Sequence, residues 1–239
     1  MTTGFAIEPL AEDTLLLRFG DGIDAATNAR VHAAALALRD ADLAGIVDIA
    51  PAYASLLVRF DPFAGNDNAL LETITKALDP GLRRDDEQKR VTQGCMADRI
   101  VEIPACYGGD CGPDLDAIAE HARLPRDEVI ARHTAVEYSV AMLGFAPGFP
   151  YLLGLDPTLQ MPRRANPRTR VPAGSVAIGG AQTGIYTREL PGGWQLIGRT
   201  PLVVFDQARE TPCLFAPGDR VRFRAIGADE FVQLAKRSA

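Results

Sequence analysis

Four arginines, Arg163, Arg164, Arg168 and Arg170, crowd into PRRANPRTRVPAGS (162–175) of an acidic chain. A guanidinium presents a planar fork of N–H donors that matches a carboxylate or a phosphate. Prolines at 162, 167 and 172 hold the segment extended, which puts Arg168 and Arg170 on one face. The run points to a small anion, and it serves equally as solvated surface charge or as ion-pair partners. Next, GGAQTGIYTRELPGGWQLIGRTP (179–201) interleaves Gln182, Thr183, Gln195 and Arg199 with Tyr186 and the only tryptophan, Trp194. Amides and hydroxyls between aromatics suit a pocket for a small polar molecule; a barrel-edge hairpin plugged by Trp194 explains the same residues. Upstream, GFAPGFPYLLGL (144–155) gathers Phe145, Phe149 and Tyr151 on a constrained loop, either a ligand wall or a structural turn. Of three histidines, His32 and His121 fall in helical stretches. His133 precedes Thr134, Glu137 and Tyr138 and is placed to act as a general base or hydrogen-bond donor, or else as a structural residue.

The elements that position these residues follow from pattern and punctuation. Residues 141–200 hold 10 of the 22 glycines and 7 of the 17 prolines, which excludes long helices there and predicts tight turns. Ahead of that region, strands are expected over 5–9 and 14–19, then an Ala-rich helix from Asp24 to Arg39 with Asp24 as its cap. Two strands flank Pro51, and a second helix runs through NALLETITKAL. That order is a small α+β sandwich. A charged stretch, LRRDDEQKR, is the linker candidate, with domains at 1–90 and 91–239. Beyond it come a strand at 99–108, helices at 114–121 and 126–132, a series of short strands, and a terminal helix. This reads as a β-barrel-like second domain, so the fold class is α+β.

Composition narrows the function. With 47% hydrophobic and 23% charged residues the chain is neither disordered nor membrane-spanning: no apolar run nears the roughly 20 residues a bilayer demands. The N-terminal residues carry no signal-peptide pattern, so a cytoplasmic location is expected. Twenty-five basic against 31 acidic residues argue against nucleic acid as a partner. Four cysteines (Cys95, Cys106, Cys111, Cys213) lack the spacing of a zinc site or disulfide framework and are expected to be spectator thiols, and no metal site is expected. The phosphate loop, the dinucleotide fingerprint and the serine-hydrolase elbow are all absent from the sequence.

The segments HTAVEYSVAMLGFAPGFPYLLGLD (133–156) and PRRANPRTRVPAGSVAIGGAQTGIYTRELPGGWQLIGRTP (162–201) closely resemble the family of the 5-oxoprolinase B component, which also includes the KipI kinase inhibitor and allophanate hydrolase subunit 1. The likeness continues more weakly through the N-terminal half. It implies a small α/β-sandwich N-terminal domain and a cyclophilin-like C-terminal barrel. It also implies two partners, a KipA-like homologue of the C component and a LamB/YcsF-type A component, with which 5-oxoproline is opened to glutamate at the expense of ATP. Mg2+ would accompany the ATP, which is shared with or bound by the partners. Under that resemblance Arg170 or Arg199 would hold the substrate carboxylate, and Gln182 or Tyr186 would donate to the ring carbonyl. His133 would orient or shuttle a proton, and Phe149, Arg168, Thr183 and Trp194 would contact substrate. Two alternatives belong to the same resemblance: an inhibitor of a sensor histidine kinase, and a carboxyltransferase component related to urea carboxylase.

Overall fold

The computed structural model describes residues 4–64, 67–78 and 99–238. The chain divides into two compact units, residues 1–97 and 98–239. The boundary expected at 90/91, the charged linker and Cys95 all lie outside the described residues.

In the first unit, β1 (Ala6–Ala11), β2 (Thr14–Arg18), β3 (Ile46–Pro51) and β4 (Ser55–Phe60) form an antiparallel sheet in the order β1-β2-β4-β3. Helices α1 (Ala25–Asp40) and α2 (Asp67–Leu78) cover it. Helix α1 begins where expected because the Asp24 carboxylate accepts from Thr27 N–H at 2.8 Å, satisfying an orphan first-turn donor. Its alanines let the helix lie close to the sheet, and Leu17, Val31, Leu38, Leu56, Val58 and Ile74 fill the layer between. Buried Asn28 closes the edge, donating to the carbonyls of Ala52 and Tyr53.

The second unit is a closed barrel of seven strands in the order β10-β7-β6-β13-β5-β12-β9. These are β5 (Ile100–Tyr107), β6 (Glu137–Leu143), β7 (Pro150–Leu153), β9 (Ser175–Gly179), β10 (Gln182–Ile185), β12 (Gln195–Arg199) and β13 (Arg220–Ile226). Its single parallel pair is β5 with β13, and their register runs from Arg220 opposite Ile100 to Ile226 opposite Cys106. Helices α3 (Leu115–Ala122) and α4 (Arg126–Ala135) pack against β12 and β13 respectively, and α5 (Ala228–Ser238) packs against β5. The α+β class and the barrel agree with the sequence. Strand β7 does not: it occupies a stretch read as loop, because Gly148 (φ +72°) and Gly154 (φ +111°) punctuate its two ends. No helix among the described residues is long and apolar enough to cross a membrane.

Strand β9 is buried along its whole length. Alternation explains this: Val176 and Ile178 point into the barrel core, while Ala177 points outward into a second apolar cluster. What covers that outer face is a two-stranded ribbon, β8 (Arg168–Val171) with β11 (Leu190–Gly192). The ribbon and the barrel wall beneath it frame the candidate site.

Candidate functional site

A pocket of about 180 Å³ opens beside the ribbon, walled by Phe145, Phe149, Tyr151, Tyr186 and Trp194, with Arg163 and Arg164 at its edge. The aromatic rings meet edge to face: Phe149 lies 5.3 Å from Tyr186 at 89° and 5.6 Å from Trp194 at 85°. This packing sets the positive ring edges of one residue against the negative face of the next. Gly192 makes the fit possible, since a Cβ there would run into the Tyr186 hydroxyl. Burial raises the pKa of both Tyr151 and Tyr186, so both phenols hold their protons at neutral pH. For Tyr186 this outweighs the backbone hydrogen bond from Trp194 and the field of Arg163, which pull the other way. Arg163 stands over the Trp194 ring, its Cζ 5.8 Å from the centroid, and makes no ion pair with a carboxylate among the described residues. The pocket therefore offers flat apolar faces, phenol donors and positive charge.

Asp114 fixes the charged edge. Its carboxylate is buried at the start of α3 and accepts both terminal nitrogens of Arg168 at 2.8 Å, Arg164 Nη1 at 3.1 Å and the backbone N–H of Leu196 at 2.7 Å. A further bond, Arg164 N–H to the Gly193 carbonyl at 2.7 Å, ties the entering chain to the ribbon's far side. Two guanidiniums share one carboxylate, so a positive charge is left over at the pocket. Arg168 has taken the two-point geometry; Arg164 is held by one nitrogen, and its buried Nε has no hydrogen-bond partner.

The residues expected from sequence do not converge. Strand β10 divides them by parity: Thr183 and Ile185 face the barrel interior, whereas Gly184 and Tyr186 face outward, a Cβ on Gly184 meeting Phe149. His133 joins the inner group. It is fully buried, with Nδ1 2.8 Å from the Tyr107 hydroxyl and Nε2 3.1 Å from Thr183 Oγ1. Since the Thr183 hydroxyl donates to the Ala177 carbonyl (3.0 Å), its oxygen accepts from Nε2–H, and Nδ1 accepts from Tyr107. Desolvation drives the His133 pKa down to about 3, so the ring is neutral and fully bonded within the core. The geometry thus separates His133 and Thr183 from the pocket.

Of the other expected residues, Phe149, Tyr186 and Trp194 line the pocket. Gln182 is buried on the outward parity without lining it. Arg168 is committed to Asp114 and supports the pocket from behind. Arg170 and Arg199 are not brought there: Arg170 is 82% exposed and loosely paired with Glu189, while Arg199 donates to the Ala173 carbonyl and lies over Phe231. Arg168 and Arg170 therefore do not act on one ligand together: Asp114 holds the first, and the second stands in solvent. Among the cysteines, Cys106, Cys111 and Cys213 are free; burial and the neighbouring Cys106 thiol push Cys111 up to about 11, so it is a thiol at neutral pH. Among the described residues, no group of three or more His, Cys, Asp or Glu side chains is gathered so that it could hold a metal ion.

The carboxyltransferase domain family, subdomains C and D, matches residues 5–215 of the chain. The chain belongs to that family. The B component of 5-oxoprolinase from Bacillus subtilis (strain 168) is 40% identical over 237 residues, which is 97% of this chain and 97% of the relative. The same component from Escherichia coli O157:H7 is 58% identical over 125 residues, 52% of this chain and 57% of the relative. The crystal structure of the K. lactis urea amidolyase shares the fold, with a TM-score of 0.72 at 22% identity over 98% of this chain and 15% of that one. In this carboxyltransferase-domain chain, Arg163 and Arg164 are the pocket cations that sequence reasoning passed over for Arg168, Arg170 and Arg199. The available signal was Asn166-Pro167, a turn-marking dipeptide: the chain bends at Ala165–Asn166, and Arg163 and Arg164 just before it line the same pocket as Gly192 and Gly193.

Proposed function

We propose that this chain is the B component of an ATP-dependent 5-oxoprolinase and that its aromatic pocket holds 5-oxoproline. The observation that carries the reading is the pairing of edge-to-face aromatic walls with surplus arginine charge in about 180 Å³. Drug-sized ligands fill about 300–1,000 Å³, so the pocket suits a much smaller molecule. 5-Oxoproline is a flat five-membered lactam bearing one carboxylate. The ring lies against Phe149 and Trp194, the carboxylate meets Arg163 and Arg164, and a protonated Tyr151 or Tyr186 donates to the lactam carbonyl. That donation polarises an otherwise unreactive amide and favours charge developing on its oxygen.

ATP converts the carbonyl oxygen into a better leaving group, and the nucleotide and its Mg2+ are assigned to the partner A and C components. The size of the pocket favours that division, since it is too small for a nucleotide. The test is 5-oxoproline-dependent ATP hydrolysis by the complex reconstituted with both partners. Arg163→Ala/Arg164→Ala should raise KM for 5-oxoproline at least about tenfold, the loss of a charge-assisted contact. Arg170→Ala/Arg199→Ala should leave KM within about twofold, consistent with exposed charges. The reverse pattern returns the carboxylate to Arg170 or Arg199 and removes the pocket from the reading.

A further inference from the structure

Phe145 stands out at the pocket mouth on two counts. Its backbone is left-handed (φ +65°), a conformation that crowds any L side chain and is a marked outlier for a bulky one. Its ring is also 60% exposed, where a buried phenyl would be expected. Neither feature serves the turn. Residues 144–149 close on themselves through Gly144 N–H to the Phe149 carbonyl (3.1 Å) and Phe149 N–H to the Ala146 carbonyl (3.0 Å). Both are main-chain bonds that a glycine at 145 would permit at lower cost. What the side chain does supply is an outer wall. The ring stands edge-on to Phe149 at 5.3 Å and to Tyr186 at 6.1 Å, and it lines the same pocket as Trp194. Strain that the fold does not need, held at a pocket rim, is the mark of a functional residue.

We infer that Phe145 is a ligand-contacting specificity residue, closing over the flat face of a small cyclic carboxylate and disfavouring its open-chain, doubly charged counterpart. This rests on the assignment of the pocket to 5-oxoproline and extends it to the choice between substrate and product. A ring sandwiched by Phe145 buries an apolar face that glutamate, flexible and carrying a second carboxylate, cannot present. Burying that second charge beneath a phenyl wall is unfavourable.

Trp194 is the only tryptophan and lies in the pocket wall, so its emission reports occupancy directly. The full chain, as wild type, Phe145→Gly and Phe145→Leu, is titrated with 5-oxoproline, glutamate and benzoate, and each variant's thermal midpoint is recorded. Phe145→Gly should keep or raise the midpoint, because the left-handed strain is relieved. It should nevertheless weaken 5-oxoproline binding about tenfold, the worth of one aromatic contact, while leaving any glutamate binding unchanged. Phe145→Leu should recover part of the affinity. A glycine variant with wild-type affinity, or one whose midpoint falls together with its affinity, overturns the inference. If wild type binds benzoate and not 5-oxoproline, the substrate reading falls, while a tenfold loss for benzoate in Phe145→Gly still supports the wall. A chain that binds neither overturns both.

Discussion

Replacing Asp114 with asparagine should unfasten the ribbon that frames the pocket. The substitution keeps the side chain's volume and one acceptor, so the 2.7 Å bond from Leu196 N–H can persist. The same oxygen can keep Arg168 Nη1, but the contacts that the other oxygen accepts from Arg168 Nη2 and Arg164 Nη1 are lost, since the new amide turns N–H donors toward those guanidinium donors. Hydrogen bonds to charged groups contribute about 1.5–3 kcal/mol each, and removing one partner of a buried pair costs about 3–5 kcal/mol. Both arginines are partly exposed and regain water, which places the loss near the low end, about 3 kcal/mol. For a unit of this size that is roughly 10 °C in the melting midpoint. The lone Trp194 lies in the barrel unit, so its fluorescence melt reads that unit without interference from the first. Arg168→Lys keeps the charge but loses the two-point geometry and should fall by about half as much. A midpoint for Asp114→Asn within about 2 °C of wild type would refute the clamp.

His133 makes stability pH-dependent with a definite sign. Its folded-state pKa of about 3 lies below the ordinary value near 6.5, so between those pH values the unfolded chain binds a proton that the native chain excludes. Stability is full above about pH 6.5 and declines on acidification by up to about 1.4 kcal/mol per pH unit from this group; urea titrations from pH 7.5 to 4.5 should show the slope, and His133→Gln should flatten it. Gly179→Ala places a Cβ 2.5 Å from the Trp194 ring, so the indole must swing toward the pocket. The expected signature is a shifted emission maximum together with lost 5-oxoproline binding, and an unshifted spectrum with normal binding would contradict it.

The sequence carried the strands and helices well wherever pattern was local. Asp24 capped its helix, Pro-Gly-Asp at 217–219 turned into β13, and alternation marked β5 and β13. Phe149, Tyr186 and Trp194 were found because aromatics among glycines announce a packed loop cluster. The losses came from two sources. Strand parity was applied to the arginines but not to β10, where it separates Thr183 from Tyr186. And the partner that commits Arg168 lies 54 residues away at Asp114, a pairing that no local pattern encodes. Proline-stiffened spacing could say that the arginines were gathered, but not which of them already had a carboxylate.

The parallel pairing of β5 with β13 carries a consequence for how the molecule is made. These are the first and last strands of the barrel in chain order, and the Arg224–Glu102 pair across them spans 122 residues. At about 5–20 residues per second of synthesis, β5 emerges some 6–25 s before the strand that completes its hydrogen bonding. Throughout that interval the nascent barrel has an open seam, with apolar side chains and unpaired backbone groups facing whatever is nearby. The first unit needs no such wait, since the four strands and two helices among its described residues are complete before β5 exists. Ribosome-bound chains halted ahead of residue 220 should therefore combine a folded leading unit with an adhesive trailing one, which makes the barrel's last strand the release point for chaperone dependence.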